Sequence, residues 1–469
     1  MEKRIAFAAI VAVAASVPLT AFGEERLWSS PRVLQTHDDC VSETVEVIAT
    51  GRGRWRALWD DRNPSCDSRY EYRLRTATRN RRSGWKRRAP LPQGFELPAL
   101  KVAGADAVQT LKRGRALLLG ARPAVGRSPS QLNRVLQVAT ISSGGHFRRR
   151  DLDSGRLLYG SDGDFGSHSP TDVDDTPPAV ELAPDGRGVA VWARLVDDDE
   201  TNPRGRLYAR YRRGNGRFGA ARPLGPAGQP TAAAVAVNRH GDAAVAWCQD
   251  GSDLLFRFRA RGEGWGSVQR VGECGNLSTA LDVALADDGR PVIAWSSESR
   301  PSGDDQSPSR SGVRVATGEQ GSFDQPRVIS REGDSPRVMA TSRGAAIAWS
   351  VPIGAESGVF FARIGRRGRV TKSRVSKDGP YRLVDLEATA MRPRGLLMWG
   401  RSNELLARRI RADGSLDGIE FVSSTSSTNT FGAVRLGLDW RGEAFAILGH
   451  NRTDTRGVPR SSTVEAARR

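Results

Sequence analysis

One hairpin, written repeatedly along the chain, constrains the fold more than any other feature. An apolar strand runs into a tight polar turn with glycine, and a second apolar strand follows, often ending in Trp. The clearest copies are Val180–Trp192, Ala233–Trp247, Leu281–Trp295 and Val338–Trp349. Val45–Trp59, Leu383–Trp399 and Ala433–Leu448 are further copies, and Ala107–Gly120 is the weakest. The turn glycines fall at Gly53, Gly114, Gly186, Gly241, Gly289, Gly344, Gly395 and Gly442, at intervals of 61, 72, 55, 48, 55, 51 and 47 residues. A period of this size stacks one supersecondary unit against the next.

Two more strands follow each hairpin. Leu207–Arg212, Leu254–Arg259, Val313–Thr317 and Val359–Ile364 alternate or nearly alternate, as exposed strands do. After another glycine turn comes an aromatic-led segment: Phe218–Leu224, Trp265–Val271, Phe323–Ile329. Four strands per repeat is the plan of a propeller blade. The second strands, such as Ala243–Trp247, are apolar on both faces, which fits inner strands covered by neighbouring blades. The expected fold is therefore all-β: a single β-propeller of about eight four-stranded blades. It would be seven if the weak second copy and its long trailing insert form one irregular blade.

The chain ends point to how such a ring would close. Trp28-Ser29-Ser30-Pro31-Arg32-Val33-Leu34 reads like the fourth strand beginning at Phe323, yet it precedes the first hairpin. The last repeat has its hairpin and one more candidate strand, Val458–Val464, and lacks a fourth. Leu27–Leu34 is thus expected to pair with the last blade, leaving no exposed edge.

Residues 1–23 read as a secretory signal. A basic-leaning start (Glu2, Lys3, Arg4) precedes an apolar run from Ile5 to about Val17, and Ala21 and Gly23 are small residues ahead of Glu24. The run is shorter than the roughly 20 residues of a membrane span. The mature propeller is then 24–469, secreted to the extracellular space or cell envelope, with no membrane span and as a monomer. In that compartment the four cysteines suggest disulfides. Cys40 and Cys66 stand 26 residues apart, as do Cys248 and Cys274. Strands in a blade alternate in direction, so each pair falls on one face. The expected bridges are Cys40–Cys66 and Cys248–Cys274, and no pair has zinc-ligand spacing.

Net charge is +18, and only six of the basic residues are Lys. Such a surface suits anionic polymers. The arginines are spread along the whole chain rather than massed in one run, which favours plain solvated cations written by an Arg-rich composition.

The glycine-then-aromatic opening of the fourth strand (Gly264-Trp265, Gly216-Arg217-Phe218, Gly321-Ser322-Phe323) resembles the repeats of sialidase-like propellers. The resemblance implies a secreted bacterial propeller. The chain departs from that family in lacking the Ser and Asp of its repeat turn and any Arg-Ile-Pro segment. None of the six Tyr forms an obvious Tyr–Glu nucleophile pair. His37, His146, His168, His240 and His450 show no ligand spacing, and the catalytic motifs of the family are absent.

One acidic cluster stands out. Asp172, Asp174 and Asp175, with Asp162 and Asp164, precede the third hairpin, and Asp197, Asp198, Asp199 and Glu200 follow it. Hard cations take several oxygen ligands, so calcium is the one cofactor these loops could hold, and none is required. Long irregular segments (Ala121–Gln131, Asp153–Pro178, Val196–Arg204, Ser299–Ser311) all belong to one face, while the other is built from short glycine turns. The expectation is a binding or scaffolding propeller, more a binder than an enzyme. It would recognise an extracellular polymer (glycan or cell-wall component) or protein, its partner anionic or not, through that loop-rich face, with no specific nucleic acid. The alternative is a glycan-active hydrolase with its site in the central funnel, which would need two carboxylates about 5–10 Å apart.

Overall fold

The computed structural model describes residues 28–29, 32–38, 45–51, 54–61, 73–79, 85–87, 108–111, 115–123, 134–142, 146–157, 178–196, 204–275, 280–299, 310–319, 322–351, 357–377, 379, 381–388, 394–401, 403–425, 429–438, 443–453 and 459–469. Among these residues every regular element is a strand, and the strands form eight antiparallel sheets. Sheet 1 holds Val45–Gly51, Arg54–Asp61, Arg73–Arg79 and Lys86–Arg87. Sheet 2 holds Val108–Leu111, Arg115–Pro123, Arg134–Ile141 and Phe147–Arg156. Sheet 3 is Ala179–Leu182, Gly188–Leu195, Gly205–Arg212 and Arg222–Pro223, and sheet 4 is Pro230–Val237, Ala243–Gln249, Asp253–Arg259 and Gln269–Glu273. Sheet 5 is Leu281–Leu285, Pro291–Ser299 and Arg310–Glu319, the last pairing with both Ser322–Phe323 and Arg327–Ser330. Sheet 6 is Asp334–Thr341, Gly344–Val351, Gly358–Gly365 and Val370–Arg374. Sheet 7 is Arg382–Ala388, Gly395–Arg401, Glu404–Ile410 and Glu420–Ser424. Sheet 8 is Asn429–Leu438, Ala444–Thr453 and Pro459–Arg468, with Arg32–Asp38 as its outer strand. The fold is a β-propeller.

The core is partitioned between the sheets. Leu117, Leu136 and Leu152 of sheet 2 pack with Val180 and Trp192 of sheet 3. Val191 and Leu207 of sheet 3 pack with Val245 and Trp247 of sheet 4. The same pattern joins sheets 4 and 5, 5 and 6, 6 and 7, and 7 and 8. Phe445 and Ile447 of sheet 8 meet Trp55 and Ala57 of sheet 1, and Leu58 of sheet 1 meets Leu118 and Ile141 of sheet 2. Second strands are buried on both faces because each is covered twice: Ala243–Gln249 is buried at every position.

Antiparallel order puts the turns between first and second strands, and between third and fourth, on one face, here the turn face. The remaining connections leave the opposite face. On the turn face Gly186 and Gly289 have φ of 83° and 82°, the left-handed position of a three-residue hairpin loop that only glycine occupies without strain. Asp185 Oδ1 accepts the Arg187 amide at 2.9 Å and completes the turn. Turns of neighbouring sheets also hold each other. The Tyr211 hydroxyl donates to the Gly241 carbonyl (2.8 Å), Asn238 Nδ2 to Ala286 (3.2 Å), and the Ser342 amide to Ala412 (3.0 Å).

The irregular-blade alternative for the second repeat is not what the sheets show, and two expectations are corrected. The weak copy Ala107–Gly120 contributes two strands of an ordinary sheet, and its trailing insert supplies the other two. The aromatics Phe218 and Trp265 precede the outer strands instead of leading them: those strands begin at Arg222 and Gln269, because the rings pack back onto the hairpin core. The glycine that turns the chain before Trp265 is Gly262 (φ 85°), not Gly264.

Candidate functional site

The best-defined part of the loop face is the end of sheet 4. Cys248 and Cys274, both fully buried, form a disulfide with Cα atoms 6.0 Å apart. Cys248 closes the second strand and Cys274 follows the fourth, so the bridge ties inner and outer parts of one sheet where its connections leave. Beside it Asp250 and Gly251, with φ of 53° and 66°, are the central residues of a tight turn closed by the Ser252 amide on the Gln249 carbonyl at 3.1 Å. Asp250 Oδ1 accepts the Gln229 amide at 2.7 Å, locking this corner to the incoming chain. Arg270 bridges Asp253 at 2.7 Å on the rim; that pair is well exposed, so it sets charge pattern more than stability.

The Trp that ends a second strand seals the seam to the preceding sheet. Trp192 Nε1 donates to Asp153 Oδ2 at 2.9 Å, and Trp295 Nε1 donates to the Glu273 carbonyl at 3.0 Å. Asp153 is strand residue, buried at 5% exposure, rather than part of a long loop. The segments read as irregular are shortened in the same way at Ala121–Pro123, Ser299 and Arg310–Ser311, all of which are strand.

Carboxylates on the inner strands are engaged by backbone. Asp282 Oδ1 accepts its neighbour's amide, Val283 (2.9 Å), and Oδ2 accepts the Val338 amide of the next sheet (2.8 Å). Asp385 Oδ1 accepts Leu386 N at 3.0 Å. These groups satisfy backbone amides of the first strands of sheets 5, 6 and 7.

The structure also brings together a Tyr–Glu pair that the sequence did not reveal. The Tyr381 hydroxyl donates to Glu404 Oε2 at 3.0 Å, and Arg401 stands 3.5 Å from the same oxygen. Tyr381 is 3% exposed. Burial first, then the hydrogen bond to Glu404 and its charge, raise the phenol above its usual range. In this arrangement the hydroxyl is held neutral and donates to the carboxylate.

Cys40, Cys66, Asp172, Asp174, Asp175, Asp197 and Asp199 lie outside the described residues, as do residues 1–23. Among the described residues no group of three or more His, Cys, Asp or Glu could hold a metal ion. No helix among them is long and apolar enough to cross a membrane. A crevice of about 10 Å³ between sheets 5 and 6, lined by Val315, Thr317, Arg327 and Ile364 among others, has room for one water and presents no carboxylate.

No protein-family model and no curated protein sequence matches the chain. Among solved structures, an ulvan lyase of a new polysaccharide lyase family is similar over 79% of this chain and 93% of its own, at 10% identity and a TM-score of 0.46. A protein of unknown function from Dyadobacter fermentans is similar over 80% and 98%, at 15% identity and 0.39. A neuraminidase-like protein of a flat-faced bat isolate is similar over 67% and 92%, at 10% identity and 0.34. At these scores the likenesses carry no functional argument; the propeller stands on its own sheet order.

Proposed function

We propose that this chain is an exported, non-catalytic propeller that binds or scaffolds an extracellular polymer, a glycan or cell-wall component, or an extracellular protein. Its binding connections leave the face opposite the glycine turns. The observation that carries this reading is the Cys248–Cys274 bridge. Disulfides persist in oxidising compartments, and this one braces the strand ends from which the binding connections leave. Rigid scaffolds that hold variable loops are where recognition concentrates. The engagement of Asp282 by amides of two sheets, and of Asp385 by the Leu386 amide, fits structural roles for these carboxylates.

The test is an array of glycans and cell-wall polymers probed with the chain from Glu24 onward, read for retention and for released product. Retention without product is expected. Product release would replace this reading with the glycan-hydrolase one, and retention of no polymer or protein probe would remove it.

A further inference from the structure

We propose that the turn face is a second binding surface, fitted to an acidic polysaccharide with repeating sulfate or carboxylate groups. This surface is separate from the loop-face connections, so either proposal can fail while the other stands.

The acids of this face are built into its turns. Asp185 Oδ1 accepts the Arg187 amide (2.9 Å), Asp242 Oδ1 the Arg261 amide (2.8 Å) and Asp413 Oδ1 the Ser415 amide (2.9 Å). Arg187, Arg239, Arg290 and Arg411 pair with Asp185, Asp287, Asp288 and Asp417 at these turns, and Glu263 is exposed beside Arg261, but other arginines of the face have no such partner. Arg213, Arg217, Arg261, Arg367 and Arg369 are exposed, and none of them forms an ion pair among the described residues. Sequence distance conceals this grouping: Arg217 and Arg367 stand 150 residues apart along the chain but on one face of the ring. Where sheets 2 and 3 meet, like charges crowd further. Burial, then the charges of Arg115 and Arg150, lower the affinity of Arg212 for its proton. Unpaired guanidinium groups spread over sheets 3, 4 and 6 on one face suit a polyanion long enough to span them.

The face is also rigid. Its turns are hydrogen-bonded sheet to sheet through Tyr211–Gly241, Asn238–Ala286, Arg327–Gly368 and Ser342–Ala412. A ligand that spans several sheets therefore meets charges already in place. Two observations favour a polysaccharide over nucleic acid. The exposed large apolar residues among those described are Val33, Val196, Val268, Val328 and Ile419, none an aromatic on which bases could stack. The disulfide is a bond that persists in oxidising compartments, where acidic polysaccharides are met more than nucleic acid.

The experiment is titration calorimetry with dextran sulfate, with neutral dextran, and with a DNA duplex of matched charge, at about 50 and about 200 mM salt. The parent is expected to bind dextran sulfate with strong salt dependence and to ignore neutral dextran. R217E/R261E/R367E should weaken that binding roughly tenfold or more and lower the salt slope by about three. R331E/K377E/R382E, an equal reversal on the opposite face, should change it less than about twofold. Should the first triple fail to fold, R217Q, R261Q and R367Q singly carry the same test, each lowering the slope by about one. Equal losses from both triples would reduce the effect to net charge and overturn the proposal, as would tighter binding of the duplex than of dextran sulfate.

Discussion

Asp282 illustrates how single polar residues hold this ring. One carboxylate takes an amide from its own strand and one from the next sheet, at 2.9 and 2.8 Å. D282A leaves the Val338 amide without that acceptor, and stability is expected to fall by about 1–3 kcal/mol. Thermal unfolding checks it; an unchanged melt would show that the edge amide is indifferent to its cap. Tyr381 offers a second test because its sign is fixed. Its folded pKa lies above the ordinary phenol value near 10. The stabilisation from its neutral hydroxyl is thus complete below about pH 10 and is lost as pH rises through the higher folded value. Y381F should be less stable than the parent near pH 8 by about 1 kcal/mol. The gap should narrow above about pH 10, where the parent begins to ionise a buried group beside Glu404. Denaturant melts across that range would contradict the assignment if the gap stayed constant.

Among the elements, the hairpins announce themselves because period-two apolarity and turn glycines are local properties. Gly186 and Gly289 show the positive φ their turns require. The Cys248–Cys274 bridge was legible for a related reason: strand polarity alone puts the ends of second and fourth strands on one face. It closes a separation of 26 residues, worth about 3 kcal/mol in the chain-entropy model. C248S/C274S should therefore melt lower than the parent under oxidising conditions and alongside it in strong reductant. A lower melt that persists in reductant would place the loss in packing instead. What depends on register was not legible. Tyr381 and Glu404 are 23 residues apart, and only the pairing of Arg382–Ala388, Gly395–Arg401 and Glu404–Ile410 puts them side by side. The outer strands begin several residues beyond Phe218 and Trp265, which pattern alone makes strand openers. These aromatics are anchors, packed onto the hairpin core. The turn-face arginines escaped for a different reason: spacing along the chain says nothing of neighbours on a ring.

At the scale of the whole molecule, the termini meet. Arg32–Asp38 is the outer strand on Pro459–Arg468, paired from Arg32 opposite Ala466 to Asp38 opposite Ser461 with one register shift between Val33 and Gln35. Around that seam the Ser29 amide donates to the Arg468 carbonyl at 2.6 Å, and Trp28 Nε1 donates to Glu420 Oε2 at 3.1 Å. Arg469 pairs with the same buried Glu420 through two nitrogens. Residues from both ends of the described chain thus converge on one carboxylate of sheet 7. A stack of repeats is stabilised only by nearest neighbours, whereas a closed ring couples its first and last members. Both proposed surfaces depend on that coupling, since each is assembled from several sheets. The direct measurement is calorimetric melting of the chain with residues 24–38 deleted, beside the parent. The account predicts that the entire transition moves to lower temperature, because Leu34 and Trp28 leave the contacts that join sheet 8 to sheets 1 and 7. A melt that coincides with the parent's would contradict closure through the N-terminal strand.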